Sequence, residues 1–114
     1  DIDLILKEYP LPKQYGDAIN AVMIADRKKD KDWIKRRSIQ NNIDKVRAPV
    51  LMAYGMKDWR VPPKHGRILK RALDKNDVPN KLIIKPNEGH GYRNEKNLFE
   101  FYREVDDFLE QHMK

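Results

Sequence analysis

The sequence predicts an α/β chain in which parallel strands are flanked by helices in the order α-α-β-α-β-α. Three observations carry that prediction. Two short apolar runs, "APVLMAYG" (48–55) and "KLIIKP" (81–86), have strand length and close on glycine or proline. The segment between them has helical spacing, as a right-handed crossover between parallel strands requires. A longer amphipathic segment follows the second run.

Taken in order, "LILKEY" (4–9) reads as a short turn of helix before Pro10 and Pro12. "GDAINAVMIADRKK" (16–29) reads as a helix because Ile19, Val22, Met23 and Asp26 recur at helical spacing, and "DKDWIKRR" (30–37) as a further short one. In "VPPKHGRILKRALDKND" (61–77) the prolines suit a helix start, Ile68, Leu69, Ala72 and Leu73 share a face, and Asn76 and Asp77 form the stop. The last segment, "NEKNLFEFYREVDDFLEQHMK" (94–114), opens on Asn94 as N-cap and carries Leu98, Phe101, Tyr102, Val105, Phe108 and Leu109 along one stripe. Phe99, Phe101, Tyr102 and Phe108 are accordingly read as the core side of this helix and its margins. No repeats or Ser/Thr-rich linkers interrupt the chain, so 1–114 is read as one piece of something compact.

That piece is short of core material. A mean hydropathy of −0.89 over 114 residues leaves little apolar surface for a self-sufficient domain. Strands this apolar also need cover on both faces and neighbours on their edges, so the two runs imply strands that lie outside the segment. "DIDLILKEYP" begins without Met and without the basic start of a signal peptide. It reads as an internal stretch and assigns no compartment. No run approaches the length of a membrane span, and no membrane partner is expected.

The net charge of +6 is concentrated: residues 27–37, "RKKDKDWIKRR", hold seven basic and two acidic side chains. Such a cluster around a tryptophan can meet phosphate. It is read here as a solvated helix face, and nucleic acid is not expected as a partner. The absence of cysteine excludes disulfides and thiolate metal sites from this segment. Three scattered histidines, His65, His90 and His112, do not compose a metal site, and the Glu88-x-His90 spacing matches no metal motif. No cofactor is expected.

Chemistry is expected past the carboxyl ends of the strands, where ligands gather in open α/β sheets. The first run leads into "YGMKDWRVPP" and the second into "PNEGHGYRN", which places Asp58 and His90 on neighbouring loops. A carboxylate that accepts from one imidazole nitrogen fixes the tautomer, while the other nitrogen faces a hydroxyl. That hydroxyl is missing: the chain has no cysteine, no threonine and one serine, Ser38, in a context unlike a nucleophile site. Acid before base is the order of the α/β-hydrolase scaffold, whose serine lies upstream in G-x-S-x-G, a motif absent here. Glu88 is expected to anchor the histidine loop. Trp59 and Arg60 are expected to pack the acid's loop, with Arg60 paired to a carboxylate.

"APVLMAYGMKDWRVPPKHGRILKRAL" followed by "LIIKPNEGHGYRNEKNLFEFYREVDDFL" resembles the C-terminal end of the prolyl oligopeptidase family catalytic domain, from about Val46 onward. These are serine peptidases that include acylaminoacyl and dipeptidyl peptidases. The paired motifs G-x-x-D-x-R-V-P and E-G-H-G-[FY] carry the resemblance, and dienelactone hydrolases and other esterases have looser versions. The resemblance implies that Asp58 is the triad acid and His90 the general base. It also implies that the serine, the oxyanion hole, the earlier strands and any β-propeller lie outside residues 1–114, and that the segment alone is inactive. The expected partners are the missing N-terminal part of the same protein and a peptide substrate. An exchanged dimer, or a second copy covering the exposed edge, is the alternative assembly. Three other readings stay open: an esterase or dienelactone-type hydrolase, a basic binding module acting through Lys28, Lys29, Arg36 and Arg37, and a non-catalytic family member.

Overall fold

The computed structural model describes residues 1–8 and 24–113, in two compact units, Asp1–Val46 and Arg47–Lys114. The first unit contains α1 (Ile2–Glu8), α2 (Lys31–Arg37) and a pair of short 3-10 turns over Ile39–Lys45 that break at Asn42. Its core is small: Leu6, Ala25 and Ile34 are each 4% exposed, with Ile2 packed against them. Asp1 caps α1 by accepting from Leu4 N–H at 3.3 Å. The side-chain amides of Asn41 and Asn42 donate to the carbonyls of Lys35 and Arg36, which satisfies groups a helix end otherwise leaves open.

Residues 16–23 of the helix expected over 16–29 lie outside the described residues. Its remainder is not helical. Asp26 Oδ1 accepts from Lys28 N–H at 2.8 Å and Lys29 N–H at 3.0 Å, while Asp30 Oδ2 accepts from Asp26 N–H at 2.8 Å. Short carboxylates of this kind offer the backbone an alternative to the helical ladder, and here they close a turn.

The second unit runs β1 (Val50–Gly55), α3 (Pro63–Lys75), β2 (Asn80–Lys85) and α4 (Glu95–His112). The strands are parallel and pair from Val50 opposite Asn80 to Gly55 opposite Lys85. Helix α3 covers one face. Gly66 sits so close to Tyr54 and Leu82 that an added Cβ would lie 2.5 Å from the tyrosine ring. Helix α4 lies along the other face, where Lys81 pairs with Glu104 and Lys85 with Glu100.

The stop signals act as the residues suggest. Pro63 opens α3 at its first turn, where its missing N–H costs nothing. Asp77 takes a left-handed conformation at φ 54°, and Val78 and Asp77 return their N–H groups to Leu73 and Asp74. That is the Schellman pattern, sealed by the burial of Leu73 and Val78. Asn94 caps α4 by accepting from Asn97 N–H at 3.2 Å.

The strands are only partly covered: Met52, Gly55 and Ile83 are buried and Ala53 is exposed, and among the described residues each strand has a neighbour on one edge alone. One expectation needs correction. On α4, Phe101 and Phe108 are half-buried, whereas Phe99 and Tyr102 are 65% and 60% exposed. Phe99 and Tyr102 each follow a sheet-facing residue by one position, and a step of one turns a side chain about 100° around the helix axis. No described helix is long and apolar enough to cross a membrane.

Candidate active site

Two loops leave the carboxyl ends of β1 and β2 and are joined by continued backbone pairing. Met56 N–H donates to Lys85 O at 3.0 Å and Lys57 N–H to Glu88 O at 2.9 Å. The approach is close enough at Gly55 that a Cβ there would collide with the carbonyls of Glu88 and Gly89. Glycine is therefore required by space at this point, and by conformation at Gly91, whose φ is 115°.

Asp58 is 8% exposed and fully engaged. One oxygen accepts from the N–H groups of Arg60 and Val61, both at 2.9 Å, and the other lies 2.9 Å from His90 Nδ1. Burial pushes its carboxyl upward most strongly, but the Val61 N–H, His90 and the Arg60 N–H together hold it below the usual carboxylate range. An ionised carboxylate can only accept, so Nδ1 is the donor in this contact, and in the neutral imidazole the lone pair lies on Nε2. The imidazole is 55% exposed, so the hydrogen bond and the loop backbone, more than packing, set its direction.

The loop is held at both ends. Glu88, 4% exposed, accepts from Arg93 N–H at 3.0 Å, Asn94 N–H at 2.9 Å and the Asn97 amide at 2.9 Å. The Arg93 N–H first, then the Asn97 amide and the Asn94 N–H, lower its carboxyl against the effect of burial. The expected anchoring role for Glu88 is what the side chain performs. Tyr92 is a residue the sequence reading did not single out. Its hydroxyl donates to Tyr54 O at 2.9 Å and lies 3.4 Å from Ile83 O, so it straddles the ends of both strands. Its ring meets Phe101 edge-on at 5.5 Å. Its signal in the sequence is the aromatic position that closes the motif E-G-H-G-[FY], two positions after the histidine.

A cavity of about 470 Å³ opens beside the pair, with Ala53, Tyr54, Val61, Leu98 and Phe101 as its apolar wall and Asp58 and His90 on its rim. The other candidate residues lie elsewhere or act otherwise. Ser38 is 1% exposed and its hydroxyl donates to Asp1 at 3.4 Å, so it presents no free nucleophile. The Arg60 guanidinium lies 5.2 Å from the Trp59 ring centre and has no carboxylate partner among the described residues, contrary to the expected pairing. Trp59, 61% exposed, offers the flat face that a guanidinium prefers. His65 is buried in α3, and the His112 ring lies 4.5 Å from that of Phe108 at a 52° tilt. Among the described residues no group of acids and histidines could hold a metal ion. In the basic stretch, Arg27 pairs with Asp3 at 3.3 Å and Arg37 lies 5.0 Å over the Trp33 ring.

Comparison with known proteins gives a consistent result. The model of the prolyl oligopeptidase family matches residues 12–114. A dipeptidyl aminopeptidase BIII from Pseudoxanthomonas mexicana is 28% identical over 81 residues, 71% of this chain and 12% of that protein. A putative Xaa-Pro dipeptidyl-peptidase from Rhodopirellula baltica is 40% identical over 53% of this chain and 9% of its own length. Acylamino-acid-releasing enzyme 1 of Oryza sativa subsp. japonica is 31% identical over 68% of this chain and 10% of its own. The chain thus spans about a tenth of the length of the curated relatives it matches.

Proposed function

The chain belongs to the prolyl oligopeptidase family of serine peptidases, and from that premise we propose that it supplies the acid and the base of a Ser-Asp-His triad that hydrolyses peptide bonds. The observation that carries the proposal is the 2.9 Å contact between Asp58 Oδ2 and His90 Nδ1, which takes up Nδ1 on a half-exposed imidazole and leaves Nε2 for the substrate side.

In this reading the segment is the C-terminal portion of an α/β-hydrolase domain, and the nucleophile comes from another part of the same protein. The composition supports that placement, since Ser38 is the one hydroxyl-bearing Ser or Thr and it is buried. The unpaired outer edges of β1 and β2 among the described residues, and the apolar cavity wall at Ala53 and Phe101, are where further strands and that part would pack. An exchanged dimer satisfies the same edges.

The steps follow from the donor set. His90 Nε2 removes the serine proton as Oγ attacks the peptide carbonyl, and Asp58 stabilises the imidazolium that forms. The imidazolium then gives its proton to the leaving amine, and an acyl-enzyme remains. Water, deprotonated by the same Nε2, attacks the ester carbonyl, and the imidazolium returns that proton to Oγ as the ester bond breaks and the acid leaves. The segment by itself is inactive.

The test is hydrolysis of dipeptidyl and acylaminoacyl amides and of matched simple esters by the complete protein and by His90→Ala. Amide hydrolysis that is lost in the variant is the expected result. Turnover of esters alone would replace the peptidase with an esterase on the same scaffold.

A further inference from the structure

Glu88 links every part of the histidine loop. Its backbone carbonyl receives Lys57 N–H, the residue just before the acid, at 2.9 Å. Its carboxylate receives Arg93 N–H, Asn94 N–H and the Asn97 amide at the entry to α4. Residues 89–92 form the excursion between these anchors, and His90 stands on it. Because the imidazole is 55% exposed, little side-chain packing holds it, and a shift of the excursion carries the ring with it.

Resting on the triad reading above, we infer that Glu88 is a positioning residue for His90: its buried carboxylate sets the place of Nε2 relative to the nucleophile, beyond holding the fold. The ionised form is the one suited to this, since three N–H donors converge on two oxygens. Glutamine keeps the shape but presents an NH₂ to donors on one side, so one anchor is lost and the excursion can slide. Displacements near 1 Å at a reacting group cost on the order of 100-fold in rate. Asp58 follows His90 only through the single Nδ1 contact, so it cannot restore the lost alignment.

The experiment uses the complete protein with Glu88→Gln, Asn97→Ala and His90→Ala. Active sites are counted by exhaustive fluorophosphonate labelling, and kcat per labelled site, KM and the melting temperature are measured separately. Glu88→Gln is expected to lower kcat per site about 10- to 100-fold with KM within about twofold. Asn97→Ala, which removes one of three donors, is expected to have a smaller effect in the same direction. A fall in melting temperature with unchanged kcat per site in Glu88→Gln would reduce Glu88 to a structural anchor and overturn the inference. Should Glu88→Gln fail to fold, Asn97→Ala decides alone, and unchanged kcat in that variant counts against the role. Activity that survives in His90→Ala would instead show that the triad reading itself is wrong.

Discussion

Asp58 Oδ2 and His90 Nδ1 lie 2.9 Å apart although 32 positions separate the residues in the chain. The contact is built by the backbone first. Parallel pairing brings Gly55 opposite Lys85, continues through Met56 and Lys57, and so delivers both loops to one rim. The side chains need to bridge only the last few ångströms, and Asp58 does so with its other oxygen already fixed by two N–H groups.

His90→Ala in the complete protein should abolish acyl-enzyme formation. Asp58→Asn should lower turnover by about 10⁴-fold, because an amide no longer selects the tautomer with its proton on Nδ1. Single-turnover acylation with an activated substrate measures both, and near-normal rates in either variant would remove the pair from the chemistry.

Acid should loosen this site before neutral or mildly alkaline pH does. The carboxyls of Asp58 and Glu88 are both held below their usual range in the folded chain. Groups depressed in this way contribute stability that is complete above their unfolded values, around pH 4, and is lost as pH falls through the lower folded values. Melting temperature measured from pH 7 down to pH 3 should therefore drop on the acid side. Asp58→Asn and Glu88→Gln should each flatten that limb, and an unchanged slope would show that neither carboxylate is linked to folding.

Much of this was legible in the sequence. The apolar runs became β1 and β2, the Asn76-Asp77 stop became a Schellman turn, and Asn94 became the cap of α4. These are local signals with local causes. Asp58 and His90 were legible because their loops are short and each begins where a strand ends. What the pattern could not reveal depends on geometry between distant residues. The hydroxyl of Tyr92 finds Tyr54 O across 38 positions, and no periodicity marks such a contact. Phe99 and Tyr102 were read with the core side of α4 and its margins because the apolar stripe is broad, and only the position of the sheet decides which edge of the stripe is covered. Around Asp26 the spacing suggested a helix, while its carboxylate closes a turn over residues 26–29 instead.

Gly55→Ala should damage both fold and activity. The added methyl meets the carbonyls of Glu88 and Gly89, which are backbone and cannot rotate away. A cost of about 1–3 kcal/mol is expected from overpacking of this kind. Chemical denaturation of the complete protein reads the stability, and kcat per labelled site should fall together with it, since the carbonyls that move belong to the two residues just before His90.

Tyr92→Phe should be milder. It removes the hydroxyl that donates to Tyr54 O but keeps the ring against Phe101. About 1 kcal/mol of stability should be lost. Faster amide hydrogen exchange at residues 89–92 would accompany it, whereas unchanged exchange would mean that the hydroxyl does not strap the loop to the strands.

The most direct test of the account is fluorophosphonate labelling of the complete protein, with the labelled peptide identified by mass spectrometry, in the native sequence and in His90→Ala. The account predicts label on a serine outside residues 1–114 in the native protein and none in the variant. Label on Ser38, or labelling of the outside serine at an undiminished rate in His90→Ala, would contradict it.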